Sequence, residues 1–155
     1  MRWTDGATYK GEWHLGMAHG KGTFIHIDGD VFEGNWAYDK ANGYGIYKHK
    51  DGASYEGNWK NDLQEGNGTE TWADQSKYYG EYKEGKKHGS GEYTWMDVSK
   101  YKGQWEENMI SGKVQLYRAY MNGMTEEFLK ENGRMGICMD LDIINGMMEG
   151  NIMVK

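Results

Sequence analysis

The sequence has no proline and a single cysteine, Cys138, in 155 residues. One cysteine excludes an internal disulfide and fits a reducing compartment. Aliphatic core formers are scarce: 5 Leu, 8 Ile and 4 Val, with 3 Phe beside them. That stock is too small for a large aliphatic-cored α/β enzyme, and by itself would signal disorder. No apolar run is long enough for a membrane-spanning helix. The opening Met1-Arg2-Trp3-Thr4-Asp5-Gly6 lacks the apolar stretch of a secretory signal, and neither end carries a lipidation motif. Positive charge is also short, with 18 basic against 24 acidic residues and a net charge of −6. No basic stripe appears, so a nucleic-acid partner is not expected. The densest basic patch, Lys83, Lys86, Lys87 and His88, is flanked by Glu81 and Glu84 and reads as a solvated turn.

Aromatic residues and glycine are abundant, with 7 Trp, 12 Tyr and 24 Gly. Each ring can bury roughly 150–250 Å², which answers the disorder argument. The glycines fall in columns 23 residues apart: Gly11, Gly34, Gly57, Gly80 and Gly103; Gly20, Gly43, Gly66, Gly89 and Gly112; Gly22, Gly45, Gly68 and Gly91, with Val114 next. Two aromatic columns keep the same step: Tyr9, Phe32, Tyr55, Tyr78 and Tyr101, then Trp13, Trp36, Trp59, Tyr82 and Trp105. Asp5, Asp28, Asp51, Asp74 and Asp97 are also in register, the first three followed by Gly. A fixed period of this kind is the mark of a repeat architecture.

Residues two apart in a strand share a face, so Tyr9, Gly11 and Trp13 point one way. Gly20, Gly22 and Phe24 do the same in the next strand. Asp-Gly between two such runs suggests a tight type I′ hairpin turn, and the other link, His14 to His19, reads as longer and looser. Each repeat is thus one hairpin, and the chain is expected to be all-β: an elongated, open-ended, single-layer twisted antiparallel meander. The absence of proline agrees, since proline cannot donate to a ladder. Glycine beside a large ring gives the ring room to lie over backbone, and the rings become the core. Five repeats at two strands each make a rod roughly 50 Å long.

Tyr9-Lys10-Gly11-Glu12-Trp13 with His19-Gly20-Lys21-Gly22, and Tyr78-Tyr79-Gly80-Glu81-Tyr82 with His88-Gly89-Ser90-Gly91, resemble the MORN (membrane occupation and recognition nexus) repeat. The resemblance covers residues 1–118 as five tandem repeats, the first preceded by a half-repeat. It departs from the pattern at Asn42, Glu65 and Ser111, where the histidine stands elsewhere, and at Val114. It implies a twisted single sheet with an aromatic groove, and a non-catalytic scaffold for protein partners at cytoskeletal or ciliary structures in the cytoplasm. The alternatives it implies are a peripheral protein at phospholipid membranes, which the charge of −6 does not favour, and a regulatory subunit of a larger enzyme complex.

Residues 119–155 read as degenerate repeats or as a C-terminal cap. Met148-Glu149-Gly150-Asn151-Ile152 echoes Phe32-Glu33-Gly34-Asn35-Trp36, whereas 125–132 also reads as a short helix with Thr125 as N-cap. The chain opens on the end of a half-repeat, so its first sheet edge is expected to be open, and pairing of copies through that edge stands as one option.

No catalytic residue, cofactor site or metal site is expected. His26 and His49 share a column but sit a full repeat apart, too far to ligate one ion. Gly-x-Gly recurs before strands, whereas a phosphate loop needs a helix after it. The regular aspartates serve turns. The expected partner groove is lined by Trp13, Trp36, Trp59, Tyr82 and Trp105, with Phe24, Tyr47 and Tyr93 on the second strands. A single layer leaves aromatic surface for an amphipathic helix or extended peptide to cover.

Overall fold

The computed structural model describes residues 1–111 and 116–117. The strands are β1 (Thr8–His14), β2 (Met17–Ile25), β3 (Val31–Ala37), β4 (Lys40–Lys48), β5 (Ser54–Lys60), β6 (Leu63–Thr71), β7 (Lys77–Lys83), β8 (Lys86–Thr94), β9 (Lys100–Glu106), β10 (Met109–Ser111) and β11 (Leu116–Tyr117). Neighbours in sequence are neighbours in space, from β1 through β10, in one antiparallel sheet. β10 and β11 both pair with β9, at Gln104–Glu106 and at Lys100–Tyr101 respectively. At the other end Arg2 bridges Thr8, and the Met1 carbonyl accepts the Tyr9 N–H at 2.9 Å, so the half-repeat pairs with β1. No helix occurs among the described residues. Gly112, Cys138 and both readings of 119–155 lie outside them.

The turns correct the sequence reading. The tight two-residue turns are Leu15-Gly16, Tyr38-Asp39, Asn61-Asp62, Glu84-Gly85 and Glu107-Asn108, every one of these residues with positive φ. That is the type I′ signature, whose twist matches the flanking strands. The Asp-Gly link is the longer one. In it His26 N–H donates to the Asp30 carbonyl at 2.8 Å and Gly29 N–H to the His26 carbonyl at 3.0 Å. The aspartate closes this loop with its side chain: Oδ1 of Asp5, Asp28, Asp51, Asp74 and Asp97 accepts the backbone N–H two residues on. Asp39 and Asp62 occupy the tight turns because Asp tolerates the left-handed conformation.

The glycine columns divide into two kinds. A Cβ on Gly57 would stand 2.6 Å from Tyr55 Oη and 2.7 Å from Gly68 Cα, so this column and that of Gly68 exist because a ring lies on the backbone there. Gly20, Gly43, Gly66 and Gly89 differ: each has positive φ, and a Cβ there would face Glu12, Asn35, Asn58 or Glu81, not a ring. They sit where each hairpin shifts register, between Gly11 and Glu12 in the first. Their task is a left-handed bulge, which only glycine adopts without strain.

The core is aromatic and runs along one face. Tyr9 lies edge-to-face against Trp13 at 5.0 Å and against Trp36 of the next repeat at 5.3 Å. Phe32 repeats this with Trp36 and Trp59, Tyr55 with Trp59 and Tyr82, and Tyr78 with Tyr82 and Trp105. Each such pair contributes about 0.5–1.5 kcal/mol beyond area burial. Each of these four rings thus holds one ring of its own repeat and one of the next, and stability is passed from neighbour to neighbour. The tyrosine hydroxyls are satisfied locally: Tyr9, Tyr55, Tyr78 and Tyr101 each donate to the carbonyl three residues on.

Candidate functional site: the aromatic groove

The face that carries the ladder is covered by no second layer of described residues, and its exposure is graded. Trp13 meets one ring of the ladder, Tyr9, and is 43% exposed. Phe24, Trp36, Tyr47 and Trp59 are half-buried. Tyr82, Tyr93 and Trp105 are buried, at 4%, 7% and 2%, inside one cluster with Tyr55, Tyr78, Tyr101 and Ile110. Five of the eight expected groove residues therefore present ring surface, and the other three serve the core. Trp36 and Trp59 donate Nε1–H to the carbonyls of Gly22 and Gly45 at 3.1 and 3.2 Å, fixing the rings against the sheet. The equivalent Nε1 of Trp105 is buried and has no hydrogen-bond partner among the described residues.

A third aromatic column escaped the sequence reading. Trp3, Trp72 and Trp95 stand at one repeat position, with His26 and His49 between them. Trp3 packs on Phe24 at 5.7 Å, Trp72 on Tyr93 at 5.2 Å and Trp95 on Tyr93 at 4.8 Å. The 23-residue step that aligned the other columns would have found it. In the second repeat the histidine takes over: His49 packs on Tyr47 at 4.7 Å, and its Nδ1 lies 2.9 Å from Asp30 Oδ2. Asp30 also accepts the Tyr47 hydroxyl at 2.8 Å and the Lys50 N–H at 3.0 Å. The Lys50 N–H, then the Tyr47 hydroxyl, hold the Asp30 carboxyl below the usual carboxylate range. Burial, then the hydrogen bond to Asp30, push the Tyr47 hydroxyl up to about 12.

The groove changes character between the third and fourth repeats. The position of Phe24, Tyr47 and Tyr93 holds Glu70, and the position of Ala18, Ala41 and Ile110 holds Lys87. Lys87 Nζ meets Glu70 Oε2 at 2.7 Å, with only 12% and 25% of the two side chains exposed. The ammonium lies 4.8, 5.2 and 5.7 Å from the ring centroids of Trp72, Tyr78 and Tyr82, within cation–π range. Tyr82, standing where other repeats carry Trp, donates to the same Glu70 oxygen at 2.9 Å. Burial, then the Glu70 charge, raise the Tyr82 hydroxyl well above its ordinary value. Next to this pair opens a cavity of about 300 Å³, lined by Tyr47, His49, Asp51, Ala53, Ser54, Tyr55, Trp59, Gln64, Glu70 and Trp72.

The MORN repeat model matches five consecutive segments, residues 9–31, 32–54, 55–77, 78–97 and 101–113, well over half of the chain. The chain belongs to the MORN-repeat family. No curated protein matches it. MORN repeats are interaction repeats, for proteins or membranes, and are a non-enzymatic repeat type. In this MORN chain, no group of three or more His, Cys, Asp or Glu side chains among the described residues is placed to hold a metal ion. Nor, among them, is any helix long and apolar enough to cross a membrane.

Proposed function

We propose that this MORN protein is a non-catalytic scaffold that docks a partner polypeptide, as a helix or extended segment, in its aromatic groove. The observation that carries the reading is the half-buried run Phe24, Trp36, Tyr47 and Trp59 beside a cavity of about 300 Å³, on a face with no covering layer among the described residues. Rings held by hydrogen bonds to the sheet offer apolar area at little further loss of side-chain freedom, which suits them as anchors. The family resemblance extends the proposal to a cytoskeletal or ciliary assembly in the cytoplasm.

The test is capture from native extract with wild type, Trp59→Ala and the outer-face control Tyr79→Ala, whose ring is 63% exposed on the opposite side. The expected result is a discrete set of proteins lost with Trp59→Ala and kept with Tyr79→Ala, then reproduced with the purified partner. An unchanged set with the folded Trp59→Ala variant overturns the groove reading. Co-sedimentation with phosphatidylserine vesicles at physiological salt, without partner protein, would favour membrane attachment in its place.

A further inference from the structure

We infer that the cavity between the second and third repeats seats a cationic side chain, lysine or arginine, of the docked segment. This inference rests on the groove being a docking site and specifies what it recognises.

Three observations converge. The cavity walls pair flat aromatic surface, Tyr47, Tyr55, Trp59 and Trp72, with the carboxylates of Glu70 and Asp51. That is the composition that holds a cation out of water: ring faces attract the charge and a carboxylate fixes it. The chain itself demonstrates the chemistry a few ångströms away, where the Lys87 ammonium lies over three rings against Glu70. Glu70 also keeps capacity for a second donor. Lys87 and Tyr82 both use Oε2, and among the described residues Oε1 accepts no hydrogen bond.

The charge balance agrees. Of the groups lining the cavity, Glu70 and Asp51 are acidic, and Lys87 offsets one of them, so the cavity retains a negative excess in a chain of net charge −6. His49 faces the same space, but its Nδ1 is engaged by Asp30. A volume of about 300 Å³ has room for a long basic side chain. The expected occupant is therefore a segment whose apolar residues rest on Trp36 and Trp59 while a single Lys or Arg enters beside Glu70.

The experiment is selection of a phage-displayed random peptide library on the intact protein. The selected peptides are labelled, and their affinities for wild type and three folded variants are measured by fluorescence anisotropy. Glu70→Gln keeps an acceptor for Tyr82 but removes the charge. Lys87→Met removes the internal competitor for Glu70. Trp59→Ala reports groove binding. The expected peptides carry a Lys or Arg next to apolar residues, lose affinity with Trp59→Ala, and bind Glu70→Gln about ten- to hundredfold more weakly. They bind Lys87→Met more tightly, which a purely structural role for the pair would not produce, since both variants would then weaken binding. Peptides that need Trp59 but carry no basic residue, or that ignore Glu70→Gln, overturn the cation seat and leave the docking groove standing. Peptides indifferent to Trp59→Ala overturn both.

Discussion

The Tyr82 hydroxyl donates to Glu70 Oε2 at 2.9 Å, joining two residues that each break the repeat pattern. Tyr replaces Trp in one column and Glu replaces an aromatic in another, and Lys87 completes the set. The three departures are one structural decision. Removing Glu70 alone, as Glu70→Ala, strands the Lys87 ammonium in a mostly buried site and should cost about 2–3 kcal/mol. Restoring the column residues together, Glu70→Tyr, Lys87→Ala and Tyr82→Trp, should leave stability unchanged or raise it, because well-packed rings replace a partly buried ion pair. Urea denaturation of the single and triple variants decides this. A triple variant as weak as the single one would show that the pair has no apolar substitute here.

The two kinds of glycine should fail differently. Gly57→Ala puts a methyl group against the Tyr55 hydroxyl and the Gly68 backbone, with no flexible neighbour to yield, and should cost about 3 kcal/mol. Gly66→Ala meets only the Asn58 amide, at 3.8 Å, and bears only the strain of φ +68°, about 1–2 kcal/mol. Melting curves of the two variants should separate in that order. Equal losses would contradict the ring-over-backbone account.

The tight turns hook each repeat to the one before. Asp39 Oδ1 accepts the Ala18 N–H at 2.6 Å, Asp62 Oδ1 that of Ala41 at 2.7 Å, and Asn108 Oδ1 that of Lys87 at 2.8 Å. Asp62→Ala removes the acceptor and also puts a residue without a polar side chain at φ 70°. The expected loss is about 1–3 kcal/mol. Amide hydrogen exchange should then quicken at Ala41, more than at Ala18, whose acceptor is intact.

Stability should fall at both ends of the pH scale for different reasons. Burial is the main cause that raises the Tyr55, Tyr78 and Tyr82 hydroxyls above the ordinary value of 10.0. A raised folded-state pKa gives stability that is complete below pH 10 and is lost as pH climbs from there toward the folded values. Ionisation of these three rings, followed by residue-resolved NMR, should therefore coincide with loss of the sheet signal above about pH 10. In acid the sign reverses. Hydrogen bonds hold the Asp28, Asp30 and Asp74 carboxyls below their ordinary range, so their contribution is present above about pH 4 and fades as pH falls further. Ring signals of Tyr55, Tyr78 or Tyr82 that shift near pH 10 before any unfolding would show that these rings are not shielded.

The repeat itself was legible, because steric demand writes glycine and ring into fixed places: a ring of the Tyr55 kind needs Gly57 and Gly68 beneath it. The tight turns were not. Tyr38-Asp39, Asn61-Asp62 and Glu107-Asn108 carry positive φ without a glycine to announce it, while the conspicuous Asp-Gly pairs mark the longer loops. That these rings share a face could be read from their spacing, but not which of them stay open, since burial depends on how many neighbours a ring has: Trp13 has one fewer ladder ring than Trp36. The Glu70–Lys87 contact was hidden for another reason. The two residues lie in different columns on β6 and β8, and only the intervening β7 brings them together, with Glu70 opposite Tyr78 and Lys87 opposite Tyr82.

The single layer has a mechanical consequence. From β1 through β8 every strand is bonded only to its neighbours in sequence, so tension along the sheet is borne by one strand at a time. Hydrogen bonds then open in succession, as when a zipper is drawn, and never share the load in shear. Each repeat that yields would release 23 residues, roughly 80 Å of extended chain, and leave its neighbour as the next end. Such a molecule resists forces across its face far better than a pull along its length.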